Sequence, residues 1–552
     1  MYPMRPPRAA HAQSLAAVAA GVVSGGVVLW HQARVAALWD LSYILEHASR
    51  IARGDVPYRD FVIPHAPLTF LIQALLIRLC DQGLVPHAWY CASVAGLTVW
   101  LTVSIVRALW NTTGAWLAVV VGLPVVVLNG YAIFPQPFYD PDCVCVVLLA
   151  VWLILRGRFF VAGAVLAAAP FFKQNIGVAA LVAVHGALLV SAARRVEDRR
   201  AAVWALAGSV LVLVAAAAAI EAWVGWSAYY HWTVTFAASK RWPSAGLVWS
   251  WYERARTWIT PACFAVGLAL VARRAASRWV ALGAVIVMAL PFADATHTMW
   301  RYGLSARSYC FWGLGAIAGG LAAVADGRKR GWPFDATLPL VAIIIAHAAF
   351  MSQGLYDSAY GVWPLLFIAL TPLAIRLWRA TGDRDRPLVA GAIAGFSALL
   401  LALGARHVVR DERLGFVDLS GSVQHAALPA LAGLATPGTY VPDFEQLLRR
   451  THDLIPPADG VVVIPGEDPF FFASGRRPQF PVTLFDDTVT PYTTPELMQM
   501  LAGRQIKWVI VKTQLQLLHS PWTALESFVA RELPSAYDVV EVLPRYTIMR
   551  RR

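Results

Sequence analysis

The sequence predicts a polytopic α-helical membrane protein of about thirteen transmembrane helices, followed by a C-terminal α/β domain outside the membrane. Three observations predict it. First, 58% of the 552 residues are hydrophobic and only 14% are charged, where a soluble domain carries about 25% charge; the mean hydropathy is +0.56. A chain this apolar cannot cover itself with polar surface, so lipid must be its solvent. Second, the arginine clusters fall in short gaps between long apolar runs, so the formal charge of +13 reads as positive-inside topology and not as a nucleic-acid footprint. Third, beyond residue 404 the chain turns into ordinary soluble sequence. Disorder, a collagen-like chain and a disulfide scaffold are excluded by the same composition.

Taking about 20 apolar residues per crossing, spans are expected near 13–33, 87–108, 114–134, 141–156, 159–172, 176–193, 201–225, 256–272, 279–293, 308–325, 336–352, 359–378 and 387–404. Arg5 and Arg8 before the first run resemble a signal peptide, but the dozen spans that follow make an uncleaved first membrane helix the better reading. Leu68–Cys80 is apolar but short. At about 1.5 Å per residue it covers some 20 Å of a roughly 30 Å hydrocarbon core, so it is expected as a re-entrant or interfacial helix. With a cytoplasmic N-terminus, Arg107, Arg156 and Arg158, Arg194–Arg200, Arg273–Arg278, Arg328–Arg330 and Arg376–Arg386 then all fall on the cytoplasmic side. Counting Leu68–Cys80 as a crossing would put every one of these clusters outside.

Residues 1–404 thus form the membrane module, with a first external loop over 34–86, and residues 405–552 form the external domain. In that domain Val461–Ile464, before Pro465-Gly466, reads as a buried strand, Lys507–Val511 as a second and Tyr537–Leu543 as a third. Pro495–Ala502 and Thr523–Glu532 read as helices. All six cysteines (Cys80, Cys91, Cys143, Cys145, Cys263 and Cys310) lie in or beside apolar runs. Cys143 and Cys145 would point to different sides of a helix, poor metal geometry, and read as small core or lipid-side residues. The Ala-, Arg- and Trp-rich composition points to a GC-rich bacterial genome, and so to the cytoplasmic membrane of a bacterium.

The external side receives the polar, chemically richer segments. In the first loop, Asp40 precedes Leu41, Leu45, Ala48 and Ala52 at helical spacing, and Gly54 ends the pattern. Asp40 is therefore expected at a helix N-terminus, where an N-cap is its simplest role; a catalytic role facing an external cavity stays open. After the third span comes Tyr139-Asp140-Pro141-Asp142, two acids at a helix start, suited both to capping and to cation binding. Lys173-Gln174-Asn175 forms an abrupt polar corner between two apolar helices. Its lysine either snorkels to the interface or, with the amide donors beside it, holds a phosphate. Lys240-Arg241-Trp242, Arg254, Arg256, Arg301 and Arg307 add external basic groups that suit an anionic lipid headgroup.

Together these segments resemble the polyprenol-phosphate-sugar glycosyltransferases of the GT-C superfamily, which include protein O-mannosyltransferases and lipid A aminoarabinose transferases. The resemblance rests on Asp40 after the first span, Ala52-Arg53-Gly54, Pro57-Tyr58-Arg59-Asp60-Phe61, His65-Ala66-Pro67, Tyr139-Asp140-Pro141-Asp142 and Lys173-Gln174-Asn175. In the tail it rests on Ile455-Pro456-Pro457, the strand 461–464, Phe470–Pro478 and the strand 507–511. One departure is that Leu41 follows Asp40 where several relatives carry an Asp-Glu pair.

The resemblance implies a GT-C-like membrane module that moves a sugar from a polyprenyl-phosphate donor to a glycan, lipid or protein acceptor at the external face, with inversion. No nucleic acid is involved. It makes Asp40 the general base. Lys173 becomes the group that stabilises the leaving phosphate, with Arg59 and Arg301 as helpers, and Tyr58, His65 and Gln174 become further donor contacts. Asp140 or Asp142 would orient the partners of Asp40 or hold a divalent cation, magnesium or manganese. Two other classes compete: a lipid-linked glycan flippase or secondary transporter, and a non-catalytic envelope scaffold. A transporter is expected to show inverted repeats and helices interrupted at the midplane. Here polar residues gather on one face instead, beside a large external domain.

Overall fold

The computed structural model describes residues 7–33, 38–80, 83–110, 116–242, 293–301, 319–351, 359–409, 421–516 and 522–552, with a few single positions between them. The spans expected near 256–272 and 279–293, and the first half of that near 308–325, lie largely outside the described residues, as do Arg254, Arg256, Arg307 and Cys310. Among the described residues five helices are long and apolar enough to cross a membrane. They are α1 (Pro7–Gln32), α4 (Val85–Leu109), α9 (Gln174–Arg194), α10 (Arg199–Trp223) and the helix Arg386–Val409. Their outward faces are apolar: Val203, Leu206, Val210, Leu211 and Val214 of α10 are all exposed. Such a surface would aggregate in water and is at home in lipid.

Shorter apolar helices complete the bundle: α3 (Leu68–Cys80), α7 (Tyr139–Leu155), α8 (Phe159–Ala168), Phe334–Phe350 and Trp363–Ala380. The span expected at 114–134 is not one straight helix. It runs as α5 (Leu117–Gly122), tightens into a 3-10 turn at Leu123–Val126 and restarts as α6 (Gly130–Ile133). Pro124 removes a backbone donor there, and the Asn129 side chain caps the new start by accepting from the Ala132 N–H at 3.0 Å. Helices α8 and α10 meet backbone to backbone, because a Cβ on Gly163 would stand 1.8 Å from the Ala205 carbonyl oxygen and one on Gly208 2.0 Å from that of Phe160.

The first loop opens with α2 (Leu38–Ala52), which ends at Gly54 with φ +99°, a conformation that favours glycine. Asp40 is the third residue of this helix, inside its first turn, and not the N-cap residue that the spacing suggested. A carboxylate there still complements the helix dipole. α3 has the bounds expected from the sequence and packs along α2; Arg78 at its end donates to the Ala52 carbonyl at 2.8 Å.

The C-terminal domain holds a four-stranded sheet in the order β3–β4–β6–β5. β3 (Gly460–Ile464) runs parallel to β4 (Ile506–Lys512), which pairs antiparallel with β6 (Tyr546–Arg551), and β6 pairs antiparallel with β5 (Tyr537–Val542). A small pair, β1 (Val423–His425) and β2 (Ala435–Pro437), precedes it. The three strands and the helix near 495–502 expected from the sequence are present. The helix expected over 523–532 is instead a short helix, Leu525–Ser527, followed by a π turn at Phe528–Glu532. The helix Tyr440–Leu454 and strand β6 were not anticipated.

The first loop and this domain share one core, in which Leu41, Ile44, Leu45, Phe61 and Phe70 pack with Tyr440, Phe444, Phe470 and Phe472. Polar ties reinforce it. Arg50 pairs with Asp55 at 2.8 Å and donates to the Phe480 carbonyl at 2.7 Å, and Arg477 also pairs with Asp55. Glu46 is buried and accepts from the Phe471 and Phe472 N–H groups at 2.8 and 3.3 Å. Next to it, buried His47 donates through Nδ1 to the Tyr43 carbonyl at 2.6 Å.

Burial pushes Glu46 up from 4.5 to about 8 and His47 down from 6.5 to about 4. The signs oppose. Glu46 binds its proton more tightly when folded, so its contribution is present below pH 4.5 and lost as pH rises to about 8. His47 contributes above pH 6.5 and loses it as pH falls to about 4. The slopes, each about 1.4 kcal/mol per pH unit, cancel between pH 4.5 and 6.5 and leave Glu46 alone above that. Because His47 is common to both proteins, thermal unfolding of the full chain in detergent should show wild type losing stability relative to Glu46→Gln between pH 4.5 and about 8. A constant difference between the two proteins across that window would refute the assignment.

Candidate active site

At one end of the bundle the loop 55–67 folds over the starts of α7 and α9, and the polar side chains there converge. His65 is the hub. Its Nδ1 lies 2.8 Å from the Tyr43 hydroxyl and its Nε2 2.9 Å from the Tyr139 hydroxyl, and the imidazole stacks on the Tyr139 ring at 4.5 Å. One tyrosine hydroxyl thus sits at each ring nitrogen. Tyr58 holds the same residue from behind: its backbone sits at φ +67°, and its buried hydroxyl donates to the His65 carbonyl at 2.7 Å. Gln174, the first residue of α9, donates to the Pro64 carbonyl at 3.2 Å and to the Thr233 carbonyl at 3.3 Å. That ties the loop to the helical stretch 226–241.

The Tyr139 ring carries the next group. Lys173 Nζ lies 4.1 Å from its centroid and 3.1 Å from Asp140 Oδ1, and both charged side chains are buried. Asp140 is the second residue of α7 and Lys173 immediately precedes α9, so two helix starts supply the two halves of the ion pair. Gly361 closes over it, since a Cβ at that position would stand 3.4 Å from the Asp140 Cβ.

Asp142 takes different partners. The Tyr131 hydroxyl donates to one of its oxygens at 2.6 Å and the Thr69 hydroxyl to the other at 2.7 Å, which ties α7 to α6 and α3. The two acids that the sequence left undistinguished are thus separated by their surroundings. Asp140 faces an ammonium and Asp142 faces hydroxyls. Neither set fits a resident divalent cation between them, because a cation there would compete with the Lys173 ammonium and with O–H groups already aimed at the carboxylate. Among the described residues no three His, Cys, Asp or Glu side chains gather as a metal-ligand set.

Of the residues singled out by sequence, Tyr58, His65, Asp140, Lys173 and Gln174 are brought together, with Asp142 beside them. Asp40 is half-buried on α2, three residues before Tyr43, whose hydroxyl reaches His65. Arg59 is exposed and pairs with neighbouring Asp60 at 3.2 Å, and Arg301 is exposed at the end of the helical stretch 293–301. Neither lies in the buried group. Sequence reasoning missed Tyr43, Thr69, Tyr131 and the role of Tyr139. The available signals were a tyrosine one helical turn after Asp40 and another directly before Asp140.

The architecture has counterparts among solved structures. The Archaeoglobus fulgidus oligosaccharyltransferase in complex with zinc and sulfate aligns at a TM-score of 0.51 and 12% identity, over 90% of this chain and 68% of that one. AglB from the same organism, with an inhibitory peptide and a dolichol-phosphate, aligns at 0.50 and 12% identity, over 91% and 69%. The chain shares the fold of these two oligosaccharyltransferase structures. ArnT from Cupriavidus metallidurans bound to undecaprenyl phosphate covers 97% of both chains at 13% identity and a TM-score of 0.46. No family model and no curated protein matches the sequence. The likeness to these structures is one of fold, and it is the fold that the loop motifs implied. The stretch of the chain between residues 243 and 292 is nearly all outside the described residues, so the expected thirteen spans are not all counted here.

The buried ion pair carries a stability prediction. Lys173→Met leaves Asp140 buried without its counter-charge and should cost about 3–5 kcal/mol. The double variant Lys173→Met, Asp140→Asn should recover most of that. Thermal unfolding of the three solubilised proteins decides it; equal losses in the single and double variants would mean that the two charges do not interact.

Proposed function

We propose that this chain is an integral membrane glycosyltransferase that moves a sugar from a polyprenyl-phosphate donor to an acceptor hydroxyl at the external face of a bacterial cytoplasmic membrane. The observation that carries the reading is the buried Lys173–Asp140 pair on the Tyr139 ring, where the end of the bundle meets the first loop. A lysine held charged at the end of an apolar bundle suits a phosphate whose lipid tail remains in the bilayer. The AglB structure with a dolichol-phosphate, a lipid phosphate on the same fold, supports this. The sidedness is supported by α9, which starts at the site and ends at the basic cluster Arg194–Arg200, the side that positive-inside topology assigns to the cytoplasm.

In the proposed reaction Asp40 takes the proton of the acceptor hydroxyl. The acceptor oxygen forms a bond to the anomeric carbon as the bond from that carbon to the phosphate oxygen breaks, and the configuration inverts. The leaving polyprenyl phosphate departs with the electron pair, and Lys173 stabilises the added charge. Asp140 keeps Lys173 protonated and aimed, and Gln174 and Tyr58 hold the loop that bears His65 in register with it.

Host cells carrying wild type, Asp40→Asn, Lys173→Met or a deletion are compared by mass spectrometry of lipid extracts. Loss of a general base should lower turnover by at least about a hundredfold, whereas a first-turn charge removed from α2 costs only about 0.3–1 kcal/mol of stability. A polyprenyl-phosphate sugar accumulating in Asp40→Asn as in the deletion is the expected result, and its mass names the sugar class. Wild-type lipids in Asp40→Asn would remove Asp40 from the chemistry. Unchanged carrier lipids in every strain, the deletion included, would return the flippase reading.

A further inference from the structure

The C-terminal domain buries a charge cluster that the proposed transfer does not use. Lys512, the last residue of β4, places Nζ 2.9 Å from Glu467 Oε2 and 2.8 Å from Asp468 Oδ1, and all three side chains are almost wholly buried. Tyr440 donates to Asp468 Oδ1 at 2.7 Å and Tyr546 to Oδ2 at 3.0 Å. Glu467 Oε1 is buried and has no hydrogen-bond partner among the described residues. Two carboxylates sharing one ammonium, with one oxygen unsatisfied, are a poor way to stabilise a core that apolar side chains would fill as well.

The cluster reaches the first turn of α2. Glu467 Oε2 also accepts from the Gln516 backbone N–H at 2.9 Å, and the Gln516 side-chain oxygen accepts from the Trp39 backbone N–H at 3.1 Å. Ser42 Oγ lies 2.9 Å from both the Gly466 and the Asp468 carbonyl oxygens. Trp39 and Ser42 bracket Asp40. The N–H groups of a helix's first turn have no acceptor within the helix. Here one of them finds its acceptor on a residue 477 positions away in sequence.

We propose that Gln516, held by Glu467 and Lys512, is a positioning residue that fixes the first turn of α2 and thereby the direction of the Asp40 carboxylate. The external domain on this view is part of the transfer machinery and sets the geometry of the base. The proposal rests on the reading of Asp40 as that base.

The test is hydrogen–deuterium exchange by mass spectrometry on the full-length chain in lipid nanodiscs, with the carrier-lipid assay on the same variants. Gln516→Ala removes the acceptor for Trp39 but keeps the backbone N–H that Glu467 binds, and Gln516→Glu keeps an acceptor oxygen. In Gln516→Ala the amides of residues 39–42 should exchange about fivefold faster while those of β4 do not change, and transfer should fall about 10- to 100-fold. Gln516→Glu should restore both. Faster exchange in β4 and α2 alike would mark a merely structural role and overturn the proposal. So would unchanged exchange at 39–42, or faster exchange there with transfer intact. If Asp40→Asn leaves carrier lipids unaltered, the reading of Asp40 as the base fails by itself, while exchange at 39–42 still decides whether Gln516 holds the helix.

Discussion

Lys173 and Asp140 sit 3.1 Å apart at the end of an apolar bundle, and a buried charge in such a place persists only with its partner. That requirement organises what surrounds the pair. It forces the starts of α7 and α9 together, since each contributes one charge. It places the Tyr139 ring under the ammonium, where the ring's negative face is attractive. The Tyr139 hydroxyl then meets His65, and through His65 the ion pair is connected to Tyr43 on α2. Because both ring nitrogens are engaged, the orientation of His65 is tied to both tyrosines.

The first loop is the piece that makes the bundle and the C-terminal domain one object. Its apolar side chains are buried in the core shared with the domain, and His65 meets Tyr139 at the end of the bundle. Most of the ties are side chains bonded to backbone groups: Glu46 to the N–H groups of Phe471 and Phe472, Arg50 to the Phe480 carbonyl, and Ser42 to the carbonyls of Gly466 and Asp468. Backbone partners specify a register more than a composition, because they fix where the loop lies along the domain. A chain built in this way holds α2, with Asp40 in its first turn, against the C-terminal domain.

The bundle itself obeys the simpler rule that lipid imposes. Backbone groups are satisfied within helices, and polar side chains inside the bundle find one another or a carbonyl. Ser24 donates to the Val126 carbonyl at 2.9 Å, and Asn129 reaches both Ser24 and the start of its own helix. Where small residues replace large ones, as at Gly163 and Gly208, the helices close to backbone contact. The break at Pro124 shows the limit of reading spans from hydropathy, because an apolar run of the right length says nothing about a proline's missing donor being answered by a turn.

How much was legible follows from what each signal depends on. Among the described residues, the positions of the five long apolar helices, the bounds of α3, the end of α2 at Gly54 and the strands β3 and β4 are set by local hydropathy, by period and by glycine's conformational freedom, so the sequence alone determined them. The helix Tyr440–Leu454 was equally local and was overlooked, although Tyr440, Val441, Phe444, Leu447 and Leu448 repeat at helical spacing and are buried. The loop motifs pointed to the GT-C fold and to Asp40, Asp140, Asp142, Lys173 and Gln174, but not to which acid pairs with the lysine. Only the tertiary structure decided that Asp140 faces Lys173 while Asp142 faces Thr69 and Tyr131. It alone turned Arg59 to solvent and brought Gln516 to Trp39. These contacts join residues dozens to hundreds of positions apart, and a side chain's partner is chosen by how whole helices and sheets pack, a distance that local pattern does not carry.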